Sequence, residues 1–491
     1  MKKLYSITSA FLFYIGANAQ IFGPNNHIIV YSTHPVDTTV ARPNNNAKAL
    51  IRCSGDTIMA YINRAKYSID IALFDFVEDS TWFEGGYVPP IHIAINNAYK
   101  RGVKIRYIYN DSVGGYTPNT GLDSINPNIY TLPSPSYSGI MHNKFMVIDG
   151  QSSNPNDAIV WTGCMNWEPG QIDKDINNII IFQDSALAHC YLTEFNQMWG
   201  ANVEGGSPDL TTSLFGYKKK DITLHSFWID GYHVESWFSP EDTVSNHIVS
   251  TEKLAKSEID FEEYEFTYEP DADPLITAIN NGIAVRGIID QTSIGYSPFS
   301  NLSSAMGANL QVYAGLPGYD ADGICHSKYV MIDPCDYAWD ADPMILTGSH
   351  NWSESANFDN NENTVIVHDS SIVNQFYQAF HADFLAVTTA GGGAVNLTQT
   401  CIPLGISAVK NIDEVTCYPN PASNSLKVTS NIPGNKMQYN IYNVTGQVVL
   451  LGKIDARYVN TIDVSGMASG MYLLRVQNNN DEEFTTKFIK Q

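Results

Sequence analysis

The sequence is poor in basic residues. Its 491 residues include 28 lysines and arginines against 51 aspartates and glutamates, which gives a formal net charge of -23. A surface of this sign does not attract polyanions as a whole. The charge therefore argues against a nucleic-acid substrate, although a local basic site remains possible in an acidic protein.

Long apolar runs are also absent beyond the N-terminus. Met1-Lys2-Lys3 precedes the mostly apolar stretch from Leu4 to Gly16, and Ala17-Asn18-Ala19 follows. This order of basic, apolar and small residues predicts a secretory signal peptide over residues 1–19. A membrane anchor is the alternative, but the apolar run is shorter than the roughly 20 residues that a spanning helix needs. We expect a secreted or cell-surface protein.

The cysteines and the metal-binding motifs give little indication of a disulfide framework or a metal site. The seven cysteines form no regular framework, and their odd number leaves at least one without an intramolecular partner. Cys325 and Cys335 are candidates for a disulfide, with buried free thiols as the alternative. The sequence contains no Cys-x2-Cys pair, His-Glu-x-x-His motif or calcium-loop spacing, so we predict no metal and no cofactor.

One pattern is present twice. His-x-Lys-x4-Asp occurs from His142 to Asp149 and again from His326 to Asp333. At a matched distance each copy is followed by Gly-x-x-Asn, which ends at Asn166 or Asn351. Residues two apart on a strand share a face, so each histidine should project with the lysine that follows it, while the aspartates leave that face and should anchor the strand ends.

These motifs resemble the phospholipase D superfamily, whose signature is His-x-Lys-x4-Asp followed by Gly-Ser-x-Asn, from about residue 25 to residue 384. The resemblance implies a bilobal α/β sandwich whose two signatures meet at a pseudo-twofold interface. It also implies metal-independent phosphodiester cleavage through a phosphohistidine, with the first-lobe histidine as nucleophile and the second as acid. The retained aspartates are typical of phospholipases and related nucleases. The predicted catalytic residues are His142, Lys144, Asp149, Asn166, His326, Lys328, Asp333, Asn351 and Glu362, of which the two aspartates have a supporting role.

The chemistry of these residue types suits an anionic ester. Lysines supply fixed positive charge, and asparagine amides donate hydrogen bonds to non-bridging oxygens without titrating. One imidazole can attack phosphorus, while the other protonates the leaving oxygen and later activates water. Sequence symmetry alone does not tell the two histidines apart.

The two halves differ at two positions. Glu362 lies eleven residues after Asn351, where the family has a carboxylate that orients a catalytic histidine and is expected to raise its pKa. The same step from Asn166 reaches Asn177, so one histidine lacks this partner unless Asp173 or Asp175 replaces it. A structural ion pair is the alternative role for Glu362. The second difference is Cys164 in place of the family serine, which Ser349 retains; a thiol is the weaker donor, so phosphate contact from the first lobe should be poorer.

The order of helices and strands also repeats, which predicts two lobes with parallel-type α/β layers. We place the first lobe at residues 20–215, the second at 216–386, a linker at 387–410 and a C-terminal domain at 411–491. The last is predicted to be a small all-β sandwich. This domain resembles the sorting domain of type IX secretion cargo at three places: the start Tyr418-Pro419-Asn420-Pro421, the turn at 444–446 and the closing Lys487-Phe488-Ile489-Lys490. A generic binding sandwich is the alternative.

The sequence thus predicts a secreted phospholipase D that hydrolyses phospholipid head groups and leaves phosphatidic acid. A non-specific extracellular endonuclease of the same superfamily and a catalytically silent surface-binding protein are the alternatives. The expected partners are a phospholipid membrane surface and the type IX secretion machinery, with nucleic acid less favoured, and the catalytic unit is expected to be monomeric.

Overall fold

A computed structural model of the chain describes most of both lobes and the strands of the C-terminal domain. The predicted signal peptide, residues 390–410 of the predicted linker and the turn at 444–446 lie outside the described residues. The chain divides into two compact units between Ile402 and Pro403. The described residues are 22, 26–43, 45–78, 90–111, 119–137, 139–316, 322–336, 342–389, 415–430, 437–443, 448–455, 458–477 and 483–491.

The first lobe is a seven-stranded sheet with helices between its strands. Its strands are β1 (Ile28–Ser32), β2 (Ser68–Leu73), β3 (Lys104–Tyr109), β4 (Tyr130–Pro133), β5 (Lys144–Ile148), β6 (Ile159–Gly163) and β7 (Asn178–Phe182). Its helices are α1 (Ser54–Arg64), α2 (Ile91–Lys100), α3 (Pro169–Asp173) and α4 (Ser185–Trp199). The strand order is β1-β7-β6-β5-β2-β3-β4.

The second lobe repeats this plan in an eight-stranded sheet. Its strands are β8 (Ser226–Ile229), β9 (Tyr232–Ser239), β10 (Glu258–Glu263), β11 (Ala284–Asp290), β12 (Leu310–Tyr313), β13 (Lys328–Ile332), β14 (Met344–Gly348) and β15 (Glu362–His368). Its helices are α5 (Val244–Glu252), α6 (Glu269–Asn280), α7 (Ser297–Met306), α8 (Glu354–Phe358) and α9 (Ser370–Thr389). The strand order is β12-β11-β10-β13-β14-β15-β9-β8, and the predicted duplication is confirmed.

The sheets are mixed rather than parallel throughout. Parallel pairing joins β2, β3 and β4 in the first lobe and β10, β11 and β12 in the second. The signature strands β5 and β13 instead run antiparallel to both neighbours. The prediction of parallel-type layers is therefore right only for β2 to β4 and for β10 to β12. Strands β5 and β6 follow each other without the crossover helix that parallel neighbours need.

An arginine ties each parallel strand pair to a helix, fully buried in the first lobe and partly buried in the second. Arg106 on β3 donates to Asp70 on β2 at 2.6 Å, and its guanidinium lies over the rings of Phe195 and Trp199 at the end of α4. In the second lobe Arg286 donates to Asp260 at 2.9 Å and faces aromatic rings of α9. The dipeptide Ile-Asp accordingly occurs in both strands, as residues 69–70 of β2 and 259–260 of β10. The aspartate neutralises a cation that is otherwise costly to bury.

The lobes share one apolar layer that spans both sheets. Phe145 and Tyr191 from the first lobe belong to the same buried cluster as Tyr329 and Phe376 from the second. Helix α9 continues to Thr389, so residues 387–389 are helical rather than linker, because Val387 still packs against this layer. Among the residues that the structure describes, no helix has the length and apolar character needed to cross a bilayer.

The C-terminal unit is all-β, as predicted. Its strands are β16 (Val415–Tyr418), β17 (Ser425–Ser430), β18 (Met437–Tyr442), β19 (Val448–Ile454), β20 (Asn460–Asp463), β21 (Gly470–Gln477) and β22 (Glu483–Lys490). They form a three-stranded and a four-stranded sheet. Leu426, Ile441, Leu474 and Phe488 are fully buried in its core.

Candidate active site

Backbone bridges between the lobes place both histidines. Met141 forms a β-bridge with Asn361, and the amide of His142 donates to the Asn361 carbonyl at 2.9 Å. The equivalent bridge joins Cys325 to Ile176, whose carbonyl accepts from the amide of His326 at 3.0 Å. Each signature histidine is therefore fixed where its own strand meets the opposite lobe, and both lie in one interface.

The next residue of the opposite lobe holds the imidazole ring. Nδ1 of His142 donates to both oxygens of the Glu362 carboxylate, at 2.9 and 2.8 Å. Ser349 Oγ donates to the same carboxylate at 2.5 Å. Glu362 thus selects the tautomer of His142 in which Nε2 carries the lone pair, and the predicted pairing of Glu362 with a signature histidine is confirmed.

For the second histidine, a side-chain amide takes the place of the carboxylate that accepts from Nδ1. Nδ1 of His326 donates to Asn177 Oδ1 at 3.0 Å. Asn177 Nδ2 donates to the carbonyls of Gln171 and Asp175, which turns Oδ1 toward the imidazole. Cys164 Sγ lies 3.5 Å from the same Oδ1. Cys164 and Ser349 therefore contact the partners of the histidines, and the poorer phosphate contact expected from the first lobe stays a prediction.

Neither candidate replacement carboxylate reaches His326. Asp173 pairs with Arg52 at 3.1 Å, and Asp175 Oδ1 accepts from the amide of Ile324 at 3.0 Å. The asymmetry that the sequence indicates is therefore real. His142 has a charged partner, whereas His326 has a neutral one.

The two lysines are buried beside the histidines. Lys144 Nζ donates to the His142 carbonyl at 2.8 Å, and Lys328 Nζ donates to the His326 carbonyl at 2.5 Å. Aromatic rings cover both ammonium groups: Lys144 lies over Phe74 and Lys328 over Tyr264. The same two rings contact the histidines, with centroids 5.0 Å apart in each lobe.

Burial dominates the protonation of the site. It lowers the pKa of His142 to about 4, although Glu362 acts in the opposite direction, and Lys144 lowers it further. The carboxylate therefore raises the pKa of His142 as expected, but the net pKa is low because desolvation outweighs the carboxylate. Burial and the two lysines place the pKa of His326 well below its ordinary value. The same desolvation lowers the pKa of Lys144 to about 7.

The signature asparagines face carboxylates that sequence reasoning missed. Asn166 Nδ2 donates to Glu168 at 3.4 Å, and Asn351 Nδ2 donates to Glu265 at 3.4 Å. Asn166 and Asn351 are nearly fully buried, and within the described residues their Oδ1 atoms accept no hydrogen bond. Both amides can turn toward a ligand that enters between the lobes.

Asp75 completes this acidic group. It follows β2 at the position that Glu265 occupies after β10, and this repeat was the available sequence signal. The Asp75 side chain is buried, and its Oδ1 accepts no hydrogen bond from the described residues. Burial and the neighbouring Glu168 raise the pKa of Asp75 to about 7, while Lys144 opposes them. The lysines thus share the site with poorly compensated carboxylates.

Comparison with known proteins agrees with this geometry. Residues 58–199 and 248–384 match the family described as "Cardiolipin synthase, PLD-like domain", once in each lobe. The chain belongs to the phospholipase D-like family. Residues 416–491 match the "Secretion system C-terminal sorting domain", which confirms the type IX resemblance of this phospholipase D-like chain.

Relatives of the phospholipase D-like lobes are distant. The mitochondrial cardiolipin hydrolase of Drosophila melanogaster is 29% identical over 157 residues, which cover 29% of this chain and 58% of that protein. A phospholipase D of Rickettsia conorii is 25% identical over 185 residues, which cover 35% of this chain and 84% of the relative. The phosphatidylserine synthase structure from Haemophilus influenzae is 13% identical, covers 76% of this chain and 88% of its own, and has a TM-score of 0.47.

The structure places the two signature aspartates away from the histidines. Asp149 accepts backbone N–H bonds from Lys66, Tyr67 and Ser68, at the start of β2. Asp333 does the same for residues 256–258 at the start of β10. Each lies beyond the far end of its strand, about 17 Å from the signature lysine at a strand rise of about 3.3 Å per residue. These contacts show the predicted anchoring of strand ends, and a part for the aspartates in catalysis stays a prediction.

Replacing Asp149 by alanine should cost stability rather than catalysis. The carboxylate satisfies three backbone donors, and φ at Asp149 is +52°, which alanine tolerates poorly. We expect Asp149→Ala to lower the free energy of unfolding by about 2 to 4 kcal/mol in denaturant titrations. The exposed Asp123→Ala is the control and should change it by less than about 0.5 kcal/mol. A large loss of kcat at unchanged stability would return Asp149 to the active site.

The cysteines are free around this site. Cys164 and Cys325 are buried thiols and Cys335 is an exposed one. The proposed Cys325–Cys335 disulfide is therefore wrong. Strand β13 lies between them and extends about 13 Å, whereas a disulfide tolerates Cα separations of at most about 7 Å. Burial raises the pKa of the Cys164 thiol to about 11, so this group is not a thiolate nucleophile near neutral pH.

Proposed function

We propose that this phospholipase D-like chain is an exported phosphodiesterase that cleaves the head-group ester of phospholipids through a phosphohistidine on His142. One observation carries the proposal. Each signature histidine has its ring held by the opposite lobe, through Glu362 or Asn177, with a buried lysine beside it. A single two-lobed site with two imidazoles and two cations suits nucleophilic attack on a phosphodiester followed by hydrolysis.

Each side chain has one task in this reaction. With Nδ1–H held by Glu362, Nε2 of neutral His142 attacks phosphorus while the bond from phosphorus to the alcohol oxygen breaks. Protonated His326 gives its proton to that oxygen, and it then removes a proton from the water that displaces His142. Since its pKa is low in the free protein, His326 acquires the proton only when an anionic substrate offsets the nearby lysines. The lysines and asparagines hold the non-bridging oxygens.

The acidic residues around the lysines favour a cationic leaving alcohol. Asp75, Glu168 and Glu265 are at least partly buried, and burial raises the pKa of each carboxyl. An ammonium group on the leaving alcohol would compensate these charges, whereas the flanking phosphates of a nucleic acid would be repelled. Choline and ethanolamine esters fit this site, and phosphatidic acid is the second product. The names of the curated relatives, phospholipase D and cardiolipin hydrolase, support a lipid substrate.

The C-terminal domain supports export. Its match to a secretion-system sorting domain favours delivery by the type IX machinery to the cell surface or beyond. There the enzyme would meet phospholipid at a membrane surface. The signal peptide over residues 1–19 and a monomeric catalytic unit stay predictions.

Head-group preference tests this proposal. In excess EDTA, the protein should release choline or ethanolamine from mixed phospholipid vesicles at least about tenfold faster than glycerol from phosphatidylglycerol, which corresponds to about 1.4 kcal/mol of discrimination. Asp75→Asn should reduce this ratio, because the amide removes the buried charge that faces the ammonium group. Released alcohols are measured by coupled assay or mass spectrometry.

Two comparisons make the result decisive. Asp123→Asn, an exposed aspartate of the same lobe, should leave the ratio unchanged. Plasmid DNA is offered in parallel. DNA cleavage without lipid hydrolysis would replace the phospholipase by a nuclease, and silence in both assays would favour a surface-binding protein.

A further inference from the structure

A second group of chemically versatile side chains lies on the outer part of the second lobe. Strands β9 and β15 pair antiparallel, with His233 directly opposite His368. Glu235 lies two residues along β9 and therefore on the same face as His233. All three side chains are partly exposed. His233 and His368 line a surface pocket together with Trp228, Gly231, Tyr232 and Asp342.

The three side chains converge on one point. Glu235 Oε1 lies 3.3 Å from His368 Nε2 and 3.9 Å from His233 Nδ1. The three candidate ligand atoms all lie within 4.8 Å of one another. A tetrahedral zinc ion with bonds of about 2.0 Å holds its ligands about 3.3 Å apart. Small side-chain rotations therefore convert this arrangement into three ligands of a zinc ion.

Outer hydrogen bonds orient each of the three groups. Ser226 Oγ lies 2.9 Å from His233 Nε2, and the Asp342 carboxylate accepts from His368 Nδ1 at 3.1 Å. Trp237 Nε1 donates to the other oxygen of Glu235 at 3.0 Å. Each imidazole thus keeps one nitrogen for an outer partner and turns the other toward Glu235 Oε1. Metal-binding histidines are held in this way, often with a carboxylate behind the ring.

We propose that His233, Glu235 and His368 bind a zinc ion or a similar divalent transition metal. Two imidazole nitrogens and one carboxylate oxygen are ligands that zinc accepts, and a fourth position stays open to water. A simple ion pair needs only one imidazole, so it does not explain why His233 also faces this oxygen. The site is separate from the candidate active site, because β15 carries Glu362 and His368 about 20 Å apart at its two ends.

Zinc titration of the full chain tests the site. After treatment with EDTA and dialysis, calorimetry with zinc chloride should show one strong site per chain. His233→Ala and His368→Ala should each weaken binding at least about 100-fold, and Asp342→Ala should weaken it about 10- to 100-fold through the lost outer hydrogen bond. The exposed His189→Ala should bind as the parent does. His225→Ala is a second control, because His225 lies in another candidate group with Asp221 and Asp242.

The zinc titration can support or overturn the proposed site. Unchanged affinity in both His233→Ala and His368→Ala, or a loss in His225→Ala alone, would overturn the proposal. If the alanine variants do not fold, the proposal is tested by adding cobalt(II) to the parent chain and recording its visible spectrum. Visible d–d absorption that saturates at one equivalent and is lost on adding zinc supports the site, and its absence rejects it. Because binding is measured directly, the result does not depend on the phosphodiesterase activity.

Discussion

His142→Ala should lower kcat/KM for phosphodiester hydrolysis by at least about 10⁴-fold, the scale on which loss of a covalent nucleophile acts. His142 is positioned by two contacts from the opposite lobe, its backbone bond to Asn361 and its ring bond to Glu362. Within the part of the chain that the structure describes, the Cys164 thiol stays protonated near neutral pH and His326 has a separate task, so neither replaces it. Initial rates on vesicles and on a small chromogenic phosphodiester measure the effect.

Matched variants separate this loss from general damage. His189→Ala changes an exposed histidine of the same lobe and should keep the parent rate. Circular dichroism and the unfolding midpoint of His142→Ala should resemble those of the parent. If His142→Ala kept more than about a hundredth of the parent kcat/KM, His142 would not be the nucleophile.

Glu362→Gln should lower kcat by about 10²- to 10⁴-fold, by analogy with amide replacement of the carboxylate in a catalytic triad. The carboxylate is fully buried and hydrogen-bonded to His142, Ser349 and Asn360. Burial alone raises its pKa, but His142 and Lys144 outweigh burial, so the net pKa of Glu362 lies below its ordinary value. It therefore stays ionised and stabilises the positive imidazole of the intermediate. A glutamine lacks that charge.

The pH profile shows whether Glu362 acts through His142. The pKa of His142 is about 4, so kcat/KM of the parent should fall as the pH drops through about 4 and the nucleophile takes up a proton. Glu362 raises the pKa of His142, so in Glu362→Gln the acid limb of the profile, where kcat/KM falls, should move to lower pH. Glu354→Gln, an exposed glutamate of α8, should change neither kcat nor the limb. An unchanged kcat in Glu362→Gln would reduce Glu362 to a structural ion pair.

Much of the site follows from local pattern. The doubled His-x-Lys spacing predicted that each lysine lies beside the histidine before it, because alternation on a strand puts residues two apart on one face. It also identified Glu362 and Asn177 as the point of asymmetry. Which histidine each one serves was not predictable, because the contact crosses from one lobe to the other and depends on the bridges at Asn361 and Ile176.

The remaining errors also concern long-range packing. That Asp149 anchors a strand end was predicted, but which strand it caps, β2, depends on the packing of the folded lobe. Asp75 and Glu168 come together with Lys144 only in the folded lobe. The pKa of His142 followed burial rather than its nearest charge, and burial is a property of the assembled interface. The Cys325–Cys335 pairing failed because close spacing in sequence says nothing about an intervening strand.

The most direct measurement is the mass of the covalent intermediate. His326→Ala lacks the base that activates water, so a phosphodiester with a good leaving group should phosphorylate the protein faster than the adduct is hydrolysed. Rapid mixing in EDTA followed by peptide mass spectrometry should find the phosphoryl adduct on His142. Absence of an adduct from an active parent enzyme, or an adduct on another residue, would contradict a two-lobed phosphohistidine site.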